Sequence, residues 1–305
     1  MKKLFIAMMA FGAFASCSND DIVSISREPI TFGEATIDNS TRALADPSYG
    51  ESKALNVFQV WGNVTGNTGN TLNIYNGAAV ERRSAADGEP FYCAQTEYWV
   101  PSARYDFVAV AHATKVTTAN GLPSVIDYTA DGVSDLLYAK PATIETDLSA
   151  QPNSVVNENK CVPFKFSHLL SKVHFSFLST SQPLSVTDVS VTGYFTEGTY
   201  TIGAASPWVG KNPATTAMSF GAADGTVNAT TAVTSQLARL IIPGPQTWSI
   251  SVTQDGKTIP AQLTFTFEPN KEYNILVTLQ GASAITFEIV TFESWGASKD
   301  IPLEF

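Results

Sequence analysis

Apolar and polar residues alternate with a period of two along most of this chain, which is typical of β-strands. Helical periodicity is nearly absent after the first 16 residues. Six runs show the alternation most clearly: Tyr105 to Ala111, Val186 to Val191, Trp248 to Val252, Gln262 to Phe267, Tyr273 to Leu279 and Ile285 to Phe292. The pattern predicts an all-β fold of half-buried antiparallel strands.

Turn-forming residues separate the last of these runs. Asp255-Gly256 supplies the positive φ values that a tight hairpin needs, and Pro269-Asn270-Lys271 marks a second reversal. We therefore expect Trp248 to Leu279 to form a three-stranded antiparallel meander.

Polar residues gather between Val155 and Lys160, before a new apolar strand begins. We place a domain boundary here, which gives an N-terminal domain of residues 43–158 and a C-terminal domain of residues 159–305. The apolar positions then change phase near Leu170, which predicts a bulge or a tight turn at that point.

The N-terminus has the pattern of an export signal, with Lys2 and Lys3 followed by an uncharged apolar run from Leu4 to Ala15. Small residues precede Cys17, as in bacterial lipoproteins. We expect residues 1–16 to be a signal peptide and Cys17 to carry the lipid that holds the chain on the outer membrane. The alternative is an ordinary signal peptide with a chance cysteine.

The chain is acidic, with a formal net charge of −10. Loss of the signal peptide removes two lysines, so the expected mature charge is 18 − 2 − 28 = −12. Because such a surface repels phosphate backbones, we expect no nucleic-acid partner.

Motifs for catalysis or cofactor binding are missing: there is no nucleophile elbow, no HExxH, no Walker loop and no dinucleotide-binding glycine pattern. The three histidines, His112, His168 and His174, are not spaced to share one metal ion. We expect a protein that is not an enzyme and has no cofactor. The alternative is a glycosidase, which needs only two carboxylates at the right separation. Cys93 and Cys161 either pair or remain separate buried thiols.

Ile30 and Phe32 share one face of a short strand-like segment that lies upstream of Arg42. One interpretation is an ordinary first strand and its loop. The other is a removable strand in the segment 17–42, which proteolysis after Arg42 would release from the rest of the chain. Its departure would open an apolar groove.

Alternating apolar residues also occur at the other end of the sequence, where Ile301, Leu303 and Phe305 share a face. This segment either completes its own domain or adds to the sheet of a neighbouring subunit as a donor strand. Pro302 requires a position where a missing N–H is harmless.

Several stretches, in this order, resemble the fimbrillins, the subunits of type V pili. They are Ile30 to Gly33, Thr41 to Ala43, Asp135 to Ala139, Phe164 to Val173 and Ile285 to Trp295. The resemblance spans nearly the whole chain after the signal peptide.

The resemblance implies two transthyretin-like β-sandwich domains, export as a surface lipoprotein and cleavage of the Arg42–Ala43 bond by an arginine-specific protease. It also implies polymerisation with other fimbrial subunits by strand exchange, with Ile30 and Phe32 in the groove-filling segment. The family includes stalk, tip and anchor subunits, and the sequence leaves that role open.

A lipid-anchored glycan-binding protein is the main alternative function. Such a protein would display exposed aromatic side chains at one end of a domain, and Tyr92, Tyr98 and Trp99 are the candidates.

Overall fold

The computed structural model describes residues 28–37, 55–82, 91–156, 160–180, 183–280 and 285–292. Within these ranges all regular elements are β-strands, so the predicted all-β fold is confirmed. None of the described elements is a helix long and apolar enough to cross a membrane. Residues 1–16, Cys17, Arg42, Ala43 and the segment with Ile301, Leu303 and Phe305 lie outside the described ranges.

Ten strands precede Leu169 in the chain. They are β1 (Thr31–Ile37), β2 (Val57–Thr65), β3 (Thr71–Glu81), β4 (Tyr92–Cys93), β5 (Arg104–Ala111), β6 (Lys115–Ala119), β7 (Leu122–Thr129), β8 (Leu137–Ala139), β9 (Ile144–Glu145) and β10 (Cys161–His168).

Eleven more strands follow. They are β11 (Ser171–Ser179), β12 (Val186–Thr192), β13 (Phe195–Thr201), β14 (Trp208–Pro213), β15 (Met218–Ser219), β16 (Val233–Thr234), β17 (Arg239–Ile241), β18 (Gly244–Gln254), β19 (Lys257–Phe267), β20 (Glu272–Leu279) and β21 (Ile285–Phe292).

The largest sheet has the strand order β1-β10-β8-β5-β2-β3-β4, with β9 paired to β5. It curls until its two ends meet, since Phe32 of β1 bridges to Phe91 immediately before β4. Alternation directs side chains into the enclosed core: Phe164 and Phe166 of β10 are buried, whereas Lys165 between them is exposed. The result is a first core rich in aromatic rings.

A second core lies between two further sheets. One has the order β16-β11-β20-β21, with β17 paired to β11, and the other has the order β15-β12-β18-β19. Phe175 and Phe177 of β11 meet Trp248 and Phe267 of the facing sheet in this core. The arrangement is that of a β-sandwich.

The predicted meander is correct for its first two strands only. β18 and β19 form a continuous antiparallel hairpin whose turn residues, Asp255 and Gly256, both have positive φ. The third strand, β20, does not pair with β19, because the chain crosses to the facing sheet and β20 pairs parallel with β11 and antiparallel with β21. The alternating pattern of β20 fits a central strand of either sheet, so periodicity alone did not identify the strands with which β20 pairs.

The phase change predicted near Leu170 marks the point where the chain leaves β10 and enters β11 in a different sheet. The side chains of β10 belong to the first core, with those of β5 and β2. The boundary placed between residues 158 and 159 therefore precedes β10, and the passage from the first core to the second occurs at Leu169 and Leu170.

Strands from both halves of the chain form a fourth sheet, with the order β14-β13-β7-β6. A third apolar cluster lies beneath it and includes Trp61, Leu170 and Ile242. The indole Nε1 of Trp208 donates a hydrogen bond to the carbonyl oxygen of Leu169 across 2.8 Å. This cluster fixes the two larger cores to each other.

Candidate functional site

β1 and the three residues before it, Glu28 to Ile30, lie between two stretches of backbone, and we call the space that they fill the β1 slot. On one side β1 pairs parallel with β10, Thr31 opposite Cys161 and Phe32 opposite Val162. On the other side it bonds to segment 91–99: the Ile30 amide donates to the Glu97 carbonyl at 2.7 Å, and the Phe91 amide donates to the Phe32 carbonyl at 2.9 Å. Both edges of β1 are therefore hydrogen-bonded.

Ile30 and Phe32 point into the first core, with 4% and 0% of their surface exposed. The Phe32 ring lies 5.3 Å from the Tyr75 ring, 5.8 Å from the Phe164 ring and 6.1 Å from the Phe107 ring, measured between centroids. Burial of one such side chain stabilises the folded state by about 1.5–3 kcal/mol. The predicted pair is thus brought together at the centre of the slot.

Polar contacts hold the start of this strand. The Lys160 ammonium is bonded to both carboxylate oxygens of Glu28, at 2.5 and 2.7 Å, and to the amide oxygen of Gln151 at 3.0 Å. The Thr31 hydroxyl donates to the Cys161 sulfur at 3.2 Å. Because Lys160 and Glu28 are partly exposed, their ion pair contributes at most about 1 kcal/mol.

Sequence reasoning identified the face of β1 but missed both of its flanks. Segment 91–99 meets β1 through isolated bridges at Pro29 and Phe32, and such bridges leave no periodic signal. The parallel pairing with β10 joins residues about 130 positions apart, as Thr31 and Cys161 show. No local pattern encodes a pairing across that separation.

The histidines have separate surroundings. His112 follows β5 with a φ of 62°, and its Nδ1 lies 2.7 Å from the Asp135 carbonyl oxygen. His168 is buried, with Nδ1 2.6 Å from an Asp135 carboxylate oxygen. His174 lies beside Glu272, and among the described residues no three His, Cys, Asp or Glu side chains are grouped as metal ligands. Asp135 and His168 belong to two stretches that carry the family resemblance, and the fold brings them into contact.

Neither Cys93 nor Cys161 is in a disulfide bond. Burial raises the pKa of the Cys93 thiol above its ordinary value, which keeps that thiol protonated at neutral pH. Of the two possibilities left open by the sequence, the structure has the separate thiols.

The aromatic residues considered for glycan binding do not form one exposed surface. Trp99 is fully buried, and its ring packs edge-on against Tyr105 with a centroid distance of 4.8 Å. Tyr92 and Tyr98 remain 39% and 45% exposed. Trp99 is thus part of the first core, and its proposal as an exposed platform is wrong.

A polar cleft of about 600 Å³ lies beside β2 and β3 at the turn between β6 and β7. Its amide groups already bond to one another and to that turn: Asn63 Nδ2 donates to the Asn120 carbonyl at 2.7 Å, and Asn73 Nδ2 donates to Asn63 Oδ1 at 3.0 Å. The β1 slot, by contrast, combines deep apolar sites with backbone edges on both sides. We therefore take the slot as the candidate functional site.

Comparison with known proteins identifies the family. The family model described as fimbrillin-like matches residues 41–295. No curated protein sequence matches the chain significantly.

Solved structures with the same fold include two candidate cell adhesion proteins. The protein from Bacteroides ovatus is 18% identical, with a TM-score of 0.58 over 90% of this chain and 100% of its own. The protein from Bacteroides uniformis is 17% identical, with a TM-score of 0.55 over 88% and 98%. Because the family model matches most of the sequence, the chain belongs to the fimbrillin-like family.

Proposed function

We propose that this chain is a polymerising structural subunit of a cell-surface fimbria that supports adhesion, and that β1 is the strand exchanged during assembly. The observation that carries the proposal is the seating of β1, with Phe32 fully buried and both backbone edges bonded. A strand held in this way fills a slot in the sheet that another extended segment can fill in turn.

Maturation begins with export as a lipoprotein anchored in the outer membrane through Cys17. An arginine-specific protease then cuts the Arg42–Ala43 bond. Because β1 ends at Ile37, upstream of this bond, the cut leaves β1 attached to the rest of the molecule by non-covalent contacts only.

An empty slot is energetically unfavourable. Removal of Ile30 and Phe32 exposes the rings of Tyr75 and Phe164 and forgoes about 1.5–3 kcal/mol of burial for each lost side chain. It also leaves unpaired backbone groups along β10 and segment 91–99. The slot therefore favours a replacement strand over solvent.

The replacement comes from a neighbouring fimbrial subunit, through the alternating residues Ile301, Leu303 and Phe305. Each subunit then offers one slot and one donor segment, so contacts run head to tail and generate a fibre rather than a closed dimer. This arrangement requires neither a catalytic centre nor a cofactor.

The variant Arg42→Lys tests the processing step. It keeps the positive charge but removes the arginine, so we predict that an arginine-specific protease leaves it intact and monomeric. Brief treatment of the same variant with trypsin, which also cuts after lysine, should restore both cleavage and elongation. Size-exclusion chromatography and the mature N-terminal sequence are the measurements.

Wild-type protein treated in parallel is the control, and its mature N-terminus should be Ala43. Fibres formed by uncut Arg42→Lys protein would show that cleavage at this bond is not needed for assembly.

A further inference from the structure

The donor segment repeats the sequence pattern of the strand that it replaces. The segment that enters the slot reads Glu28-Pro29-Ile30-Thr31-Phe32, and the donor segment reads Ile301-Pro302-Leu303-Glu304-Phe305. Proline occupies the second position of both, phenylalanine the fifth, and a four-carbon aliphatic side chain the third. Resting on the proposed strand exchange, we infer that the donor enters in the register and direction of β1, with Pro302 replacing Pro29, Leu303 replacing Ile30 and Phe305 replacing Phe32.

The deep aromatic site fixes the direction. Phe32 fits among three rings at 5.3–6.1 Å, and Phe305 supplies the same ring. A donor running the opposite way would place Phe305 in the site of Ile30 and Leu303 in the site of Phe32. That arrangement overfills one site and leaves a cavity in the other, and both faults are destabilising in a close-packed core.

The proline fixes the register. The Ile30 amide points to Glu97, so the next amide, that of Thr31, points to the opposite side, where β10 lies. A donor shifted by two residues would place Pro302 at Thr31 and remove a donor to β10. In the position of Pro29, Pro302 removes no hydrogen bond, because Pro29 itself has no N–H.

The same register changes the polar contacts at the start of the strand. Ile301 replaces Glu28, so Lys160 loses its carboxylate partner when the donor enters. Glu304 replaces Thr31 and comes to lie beside the Cys161 sulfur. The Glu28–Lys160 pair therefore belongs to the precursor and not to the fibre.

Engineered disulfides test the register of the donor segment directly. In a Cys93→Ser background, Glu304→Cys should cross-link to the native Cys161 of the neighbouring subunit, because Thr31 contacts that sulfur in the precursor.

A second variant combines Pro302→Cys with Tyr98→Cys and with Cys161→Ser. Pro29 and Tyr98 form an antiparallel bridge flanked by the hydrogen bonds Trp99 to Glu28 and Ile30 to Glu97, so they are a non-hydrogen-bonded pair. The Cα atoms of such pairs are about 4.5 Å apart, which suits a disulfide.

Cleaved, elongated protein is oxidised with oxidised glutathione, which accepts the two electrons and two protons of each thiol pair, and is boiled in detergent without reductant. We expect both variants to give covalent ladders in most subunits, and Glu304→Cys with Cys161→Ser to give none.

Other ladder patterns overturn the inference and identify the alternative. Cross-linking of Glu304→Cys without the Tyr98 pair shows a donor running the opposite way. In a third variant, Pro302→Cys with Cys93→Ser and native Cys161, a cross-link between Pro302→Cys and Cys161 shows the register shifted by two residues. Fibres without any of these links place the donor elsewhere while leaving polymerisation intact, whereas failure of the unmodified cleaved protein to elongate overturns the proposed function itself.

Discussion

Gly121 is held in a conformation and a space that exclude other residues. Its φ is 80°, and a Cβ atom at this position would lie 2.6 Å from Asn63 Oδ1 and 2.9 Å from Asn73 Nδ2. The turn formed with Asn120 is anchored by these amides, since Asn73 Nδ2 also donates to the Gly121 carbonyl at 2.9 Å. The tip of the β6–β7 hairpin thus packs on the asparagine pair of β2 and β3.

Gly121→Ala and Gly69→Ala separate backbone strain from crowding. Gly69 has almost the same φ, 79°, but nothing lies within 4 Å of its added Cβ. We predict that Gly69→Ala lowers the free energy of unfolding by about 1–2 kcal/mol through φ alone. Gly121→Ala should lower it by about 1–3 kcal/mol more, because the amide pair must move. Urea denaturation of both variants measures the difference, and equal losses would contradict the role given to the asparagines.

At single positions, the sequence predicted which side chains are buried but not which residues they contact. The burial of Ile30 and Phe32 follows from alternation, and so does that of Phe164 and Phe166. Trp99 was wrongly considered as an exposed binding residue, because aromatic residues are enriched in cores as well as at binding surfaces and no periodic pattern surrounds it. The rings that Phe32 contacts come from β3, β5 and β10, so they required the fold.

Glu272, at the start of β20, links two parallel strands electrostatically. Its Oε1 lies 3.4 Å from Lys172 Nζ and 3.5 Å from His174 Nδ1, both on β11. Burial acts to raise the pKa of Glu272, but the hydrogen bonds and charges of His174 and Lys172 outweigh it and hold the pKa below its ordinary value of 4.5. The ionised carboxylate therefore stabilises the pairing of β11 with β20.

Glu272→Gln should destabilise the protein by about 1–2 kcal/mol at neutral pH, because Lys172 and His174 both lose their carboxylate partner. Since the folded pKa is depressed, the contribution is complete above 4.5 and is lost as the pH falls through the folded value. The difference in unfolding free energy between wild type and variant should shrink over that acidic range. Glu288→Gln, at an exposed site on β21, is the matched control and should stay within about 0.5 kcal/mol of wild type. A difference for Glu272→Gln that does not change with pH would contradict the assignment.

The sequence predicted which segments form strands, but it did not predict which strands pair across long separations. The β18–β19 hairpin has a local turn signal, Asp255-Gly256, and was predicted correctly. β20 has the same kind of alternation but pairs with β11, about 100 residues earlier in the chain, as Ser176 and Asn274 illustrate. Pairings of that separation depend on the packing of whole sheets, which one sequence does not display.

Over the whole molecule, the two larger cores are joined by a shared sheet and a shared apolar cluster. β7 of the first half pairs with β13 of the second, and Trp208 bonds to Leu169 at the crossing between the cores. In the proposed fibre, we expect load to pass through this continuous body rather than through a flexible linker. Composition alone suggested a boundary ahead of β10, because polar residues mark loops and do not reveal which core the next strand joins.

Strand exchange requires β1 to leave its slot, so a covalent lock on β1 should block elongation. The Thr31 hydroxyl lies 3.2 Å from the Cys161 sulfur, so Thr31→Cys should form a disulfide with Cys161 inside the precursor. We predict that the oxidised variant, cut after Arg42, retains β1 and stays monomeric, and that adding a reductant releases elongation at the rate of wild-type protein given the same treatment. Elongation of the oxidised, cleaved variant at the wild-type rate would contradict exchange of β1.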